Sequence, residues 1–207
     1  MNAIIIGANS DIAKNLSARL ANDGWEIYPY NRMGCDVSDS IAIDSFETPD
    51  EWDLLLVAAG TLSPIGKFVS IPADEWEENV MVNALGPLRL LRHLLPHRKP
   101  NAAAVFFSGT NPLKVNPLYS AYSASKALLA RAVQEIDSEI DAKCFLLAPG
   151  FVQTKIHAVH DVSTRTDGTT HDQIYDCLKH CLSRPKAEVG GKIIHVPTWY
   201  QTWKVMN

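Results

Sequence analysis

The chain has 207 residues, 46% of them hydrophobic and 20% charged, which excludes a mainly disordered polymer and suffices for one sizeable core. Nineteen basic residues against 23 acidic ones leave a net charge of −4. No run of Lys or Arg breaks that scatter, so neither a nucleic-acid footprint nor a polybasic membrane patch is expected.

Residues 3–6 (Ala-Ile-Ile-Ile) are a β-branched run ending at Gly7, which reads as a buried strand of a parallel sheet. Asn9, Ser10 and Asp11 offer N-cap side chains, and Ile12, Leu16 and Leu20 stripe the helix that follows. Gly24 stops it, and residues 25–28 form a second strand. Residues 31–34 are too few for a parallel crossover before the Cys35-Asp36-Val37 segment, so the sheet is expected to be truncated at that edge. A third strand covers 53–60, a long helix 74–95, a strand 102–107, a helix 120–140, a strand 142–147 and a last strand 192–196.

Strands alternating with helices specify a doubly wound α/β fold of six to seven parallel strands with helices on both faces. No linker interrupts it, so residues 1–207 form a single domain. The polar stretch at about 155–185 follows a late strand and is placed as a lid over a ligand, with a short helix at 171–182. His157, His160 and Arg165 in it could meet an anionic substrate. The N-terminus lacks a basic region and a long apolar run, so no signal peptide is expected, and no run reaches the roughly 18 apolar residues of a spanning helix. A soluble, cytoplasmic protein follows. Its four cysteines (Cys35, Cys144, Cys177, Cys181) are then free thiols. Cys177, His180, Cys181 and His171 match no zinc spacing, and no metal is expected. Trp199, Tyr200 and Trp203 make an aromatic tail suited to a core or a subunit contact.

Two segments carry chemistry. Gly7-Ala8-Asn9-Ser10-Asp11-Ile12-Ala13 joins a buried strand to a helix whose free N–H groups suit a phosphate, although Asp11 stands where a glycine would serve. Tyr122 and Lys126 are four apart on one helix face, and a nearby ammonium would lower the tyrosine pKa and make Tyr122 an acid/base.

Read together with Asp36-Val37, Val57-Ala58-Ala59-Gly60, Asn83, Tyr122-Ser-Ala-Ser-Lys126 and Pro149-Gly150-Phe151-Val152-Gln153-Thr154, the chain resembles the short-chain dehydrogenase/reductase family over about residues 1–155 and the last strand. The resemblance implies a Rossmann-like fold and hydride transfer with a nicotinamide cofactor, a small-molecule carbonyl or alcohol being the substrate. It implies Tyr122, Lys126, Asn83 and a serine as the catalytic set. The family serine position falls on Gly109, flanked by Ser108 and Thr110; Ser108 is preferred and Thr110 is the alternative. Asn83 would hold a relay water. Gly7, Asn9, Ser10, Asp11 and Ile12 would hold the pyrophosphate side, Asp36 and Val37 the adenine ring, and Pro149, Val152 and Thr154 the nicotinamide, with Ala58, Ala59 and Gly60 also against the cofactor. The end of strand two, Tyr28-Pro29-Tyr30-Asn31-Arg32, has no acid for a ribose hydroxyl, and Arg32 beside Asn31 suits a 2′-phosphate, so NADP(H) is preferred over NAD(H). The substrate pocket would come from residues 61–68, 111–118 and the lid. The two long helices would pair copies into a homodimer or homotetramer. The alternative is a non-catalytic protein that binds or senses NADP(H).

Overall fold

The computed structural model describes residues 1–109, 114–154 and 168–206. The chain runs β1 (Asn2–Ile6), α1 (Asp11–Asn22), β2 (Glu26–Tyr30), α2 (Ser40–Asp44) and β3 (Trp52–Val57). It continues through α3 (Ala73–Val80), a π-helical segment (Met81–Leu85), α4 (Gly86–Leu94), β4 (Arg98–Phe107), α5 (Ser120–Glu139) and β5 (Lys143–Ala148). The last part holds α6 (His171–Ser183), α7 (Lys186–Val189), β6 (Ile193–His195) and α8 (Val196–Met206).

The six strands form one parallel sheet in the order β2-β1-β3-β4-β5-β6. Residues 35–37 form no strand, as their short connection requires, and β2 is the end strand. Alternating side chains feed two cores. Ile4, Ile6, Leu55, Phe106 and Leu146 pack under α4 and α5, through Leu90, Leu94, Leu129 and Val133. Ala3, Ile5, Leu54, Leu56, Val105 and Phe145 pack under α1 and α6, with Val196 and Trp199 of α8 at the margin.

Three elements depart from the sequence reading. The long helix is interrupted at its middle by the π-helical segment. The helix at 171–183 is no lid: Ile174, Cys177, Leu178 and Cys181 are buried in the core behind the sheet, so that part of the expected lid is scaffold. Arg19 of α1 pairs with Asp172, and Asp23 accepts from Tyr175 Oη and Lys179 Nζ, both at 2.6 Å. Residues 155–167, the other part, with His157, His160 and Arg165, lie outside the described residues. The aromatic tail is α8, with Trp199 and Trp203 stacked at 5.6 Å and His180 against Trp199. All four cysteines are free and buried. Among the described residues, no helix is long and apolar enough to cross a membrane.

Candidate active site

The chain passes from β1 out to β2, while β3 lies on the other side of β1. A crevice therefore opens beyond the carboxyl ends of β1 and β3, where strand order reverses. Gly7 ends β1 with φ +76°, and a Cβ there would stand 2.5 Å from the Ala59 nitrogen. Only glycine lets the two strand ends close up in this way. Ser10 caps α1, its Oγ accepting the Ala13 N–H at 3.2 Å, and Asp11 opens the helix.

Two cavities meet in this crevice. The smaller, about 530 Å³, is lined by Gly7, Asn31, Arg32, Asp36 and Val37, and by Glu75, Glu78 and Asn79 of α3. The larger, about 800 Å³, is lined by Asp11, Ile12, Asn83, Ser108, Tyr122 and Lys126, and by Pro149, Val152 and Thr154. Asn9, Ser10, Ala58, Ala59 and Gly60 line both, so the cavities form one cleft. Every residue preferred in the sequence reading for catalysis or cofactor binding lies on it. Thr110, the alternative hydroxyl, falls outside the described residues.

In the larger cavity, Lys126 is 6% exposed and donates to the Phe107 carbonyl at 3.0 Å. Its amine lies 5.8 Å from the centre of the Tyr122 ring. Burial pushes the Lys126 amine down to about 8. Burial also pushes the Tyr122 phenol up, opposite to the lowering expected from its lysine neighbour. The four-residue spacing brings the two groups together, but low-dielectric surroundings disfavour the charged form of each. Ser108 Oγ is buried on this cavity and makes no hydrogen bond among the described residues.

Asn83 is fully buried in the π-helical segment. Its Oδ1 accepts the Thr61 N–H at 3.1 Å, and its Nδ2 donates to Thr61 O at 2.8 Å and to Asn79 Oδ1 at 2.9 Å. Both amide protons are thus taken by the protein, and the side chain fixes the loop after β3 rather than presenting them to water. Asn79 extends the network, its Nδ2 donating to Ser63 O at 2.6 Å and its Oδ1 accepting from Ser125 Oγ at 3.2 Å. Sequence reasoning missed Asn79, Glu75 and Glu78. Their signal was the 75, 78, 79, 82 stripe that runs toward Asn83 on one helix face.

At the open end of the smaller cavity, Arg32 Nε donates to Asp36 Oδ2 at 2.7 Å. Its Nη2 lies 3.8 Å from Glu78 Oε1. Asn31 Oδ1 accepts the Met33 N–H at 2.9 Å and so shapes the turn after β2. At the other end, Thr169 Oγ1 donates to Pro149 O, which ties the start of α6 to the Pro149-Gly150 turn.

A family model described as enoyl-(acyl carrier protein) reductase matches residues 3–179. An uncharacterized oxidoreductase of Staphylococcus aureus (strain N315) is 24% identical over 188 residues, covering 88% of this chain and 80% of that protein. Among solved structures, a small-chain dehydrogenase in complex with NADPH superposes with a TM-score of 0.84 at 19% identity, over 94% of this chain and 95% of that one. A 3-ketoacyl-(acyl-carrier-protein) reductase from Brucella melitensis complexed with NADH gives 0.82 at 18% identity, over 94% and 96%.

Proposed function

The chain belongs to the short-chain dehydrogenase/reductase family and is an oxidoreductase of that type, and from that premise we propose an NADP(H)-dependent enzyme that reduces a carbonyl, or oxidises a secondary alcohol, of a small molecule. The observation that carries this reading is the convergence of Ser108 Oγ, Tyr122 and Lys126 on one cavity. A buried hydroxyl without a partner is a costly arrangement unless it has a ligand to serve. The residues present suit the cofactor: one cleft runs from Arg32 past the Gly7 turn to Thr154. The solved relatives named above are described with NADPH and with NADH, which supports a nicotinamide cofactor.

The nicotinamide supplies the hydride in one direction and accepts it in the other. In reduction, Tyr122 donates its phenolic proton to the carbonyl oxygen and Ser108 donates a hydrogen bond to the same oxygen. Lys126, held by the Phe107 carbonyl, favours the phenolate as that proton leaves and reaches the ribose hydroxyls beside it. Asn83 keeps the Thr61 wall in place for both partners. Thr154 and the backbone at Val152 hold the carboxamide, and Pro149 turns the chain there. Gly7, Asn9, Ser10, Asp11 and Ile12 take the pyrophosphate side; Asp36, Val37, Ala58, Ala59 and Gly60 take the adenine side. Arg32 with Asn31 takes the 2′-phosphate, since the end of β2 offers no acid for a free hydroxyl.

We assign the enzyme to the cytoplasm as a homodimer or homotetramer. Met81, Leu85 and Leu128 are exposed on the two long helices and give a second copy an apolar face to cover. A second reading, nucleotide binding or sensing without turnover, draws on the departures from the family's motifs: Asp11 where a glycine is usual, Val57-Ala58 ahead of Ala59-Gly60, and Gly109 at the serine position. Titration of NADPH and NADH, followed by nicotinamide fluorescence, combined with Tyr122→Phe, separates the two. The enzyme reading expects tighter NADPH binding, retained in the variant. Turnover in a carbonyl-compound screen should fall about 10³-fold in the variant, the scale of a lost general acid. Equal turnover by wild type and variant would sink the assignment of Tyr122.

A further inference from the structure

Three carboxylates, Asp36, Glu75 and Glu78, and one guanidinium, Arg32, line the smaller cavity. Arg32 uses Nε on Asp36 at 2.7 Å and turns Nη2 toward Glu78 at 3.8 Å. A guanidinium binds phosphate best with two parallel N–H groups. With Nε committed to Asp36, a phosphate must engage the Nη groups, which Glu78 flanks. Glu78 therefore opposes a 2′-phosphate in two ways: it competes for Nη2, and its charge repels the dianion. Toward a free ribose hydroxyl the same carboxylate has the opposite effect, since it accepts a hydrogen bond. An acid that the end of β2 lacks is thus supplied from α3, across the cleft.

We propose that Glu78 is a specificity-determining residue, one that lowers the preference for NADPH over NADH that Arg32 alone would give. The inference rests on the NADP(H) reading above and deepens it. Glu78 is exposed and ends no buried network, so a change to it acts on the cleft rather than on the core. Glu77, its neighbour, is also exposed but does not line the cavity, and it serves as the control for net charge.

The test is titration of NADPH and NADH into the full chain and into Glu78→Gln and Glu77→Gln variants, at low salt and at high salt. Glu78→Gln should raise the ratio of the NADH to the NADPH dissociation constant about tenfold at low salt, the sum of a few exposed charge interactions. Most of that rise should vanish at 1 M salt, where the screening length is about 3 Å. Glu77→Gln should leave the ratio within about twofold of wild type. A Glu78→Gln ratio equal to wild type, with both nucleotides bound, overturns this inference and leaves the NADP(H) reading standing. An equal shift in both variants also overturns it, since the effect would then be net charge alone. Failure of wild type to bind either nucleotide overturns the NADP(H) reading together with it.

Discussion

Lys126 carries an amine into a buried place where, among the described residues, the Phe107 carbonyl receives it. Burial pushes it from 10.5 to about 8. Below pH 8 both the folded and unfolded chains hold the proton, and the folded chain bears the whole cost of the buried charge. Between pH 8 and 10.5 only the unfolded chain stays protonated, so stability rises with pH in that window. Lys126→Met removes this cost. The variant should be more stable than wild type by about 3 kcal/mol at pH 7, with the gain fading as pH approaches 10.5. Urea unfolding at a series of pH values checks it, and a gain that is flat with pH would contradict the burial argument. The pairing of Tyr122 with Lys126 was legible as a helical spacing. The direction of the Tyr122 shift was not, because spacing tells which groups meet and not how much water surrounds them. The choice of Ser108 over Thr110 was likewise readable only as a hydroxyl near the expected position; its buried Oγ is a property of the folded cavity.

Among the elements, the α3–π–α4 rod does most to shape the cleft. Its two buried amides, Asn79 and Asn83, clamp the Thr61–Ser63 backbone. Asn79→Ala strips Ser63 O of that donor, leaves Asn83 one amide proton short of a partner, and removes a bond to Ser125. The variant should lose about 2–3 kcal/mol of stability, more than an exposed substitution would cost, because the orphaned groups stay buried. Thermal melts beside wild type test this; a loss under about 0.5 kcal/mol would mean that the loop finds other partners. The rod's existence was legible from its apolar spacing, but its π-helical segment was not, since nothing in Met-Val-Asn-Ala-Leu separates an i→i+5 turn from an i→i+4 one. At α6 the signal was present and outweighed: Ile174, Cys177, Leu178 and Cys181 follow core spacing, but the polar residues before them suggested a lid. At α8 the Val-Pro start concealed a helix, although proline in a first turn is well tolerated.

At the scale of the molecule, the parallel sheet and the two-sided core followed from the alternation of apolar runs with amphipathic helices, whereas the strand order did not. The number of subunits did not, because it depends on surfaces that no periodicity marks. The exposed Leu85 and Leu128 make that number testable. Sedimentation should give two or four times 22.8 kDa for wild type, and replacing both leucines with glutamate should shift the mass to that of one chain. A wild-type monomer would sink the proposed interface. The end strand β2 has a further consequence. Glu26 N–H and Tyr30 C=O point inward to β1, so along the strand the backbone groups of Ile27 and Pro29 face outward. Proline has no N–H, which leaves Ile27 as the lone outward donor of the five residues. A stray strand from another molecule would find almost nothing there to zip onto, so at high concentration this rim resists the runaway stacking that an unguarded sheet margin invites.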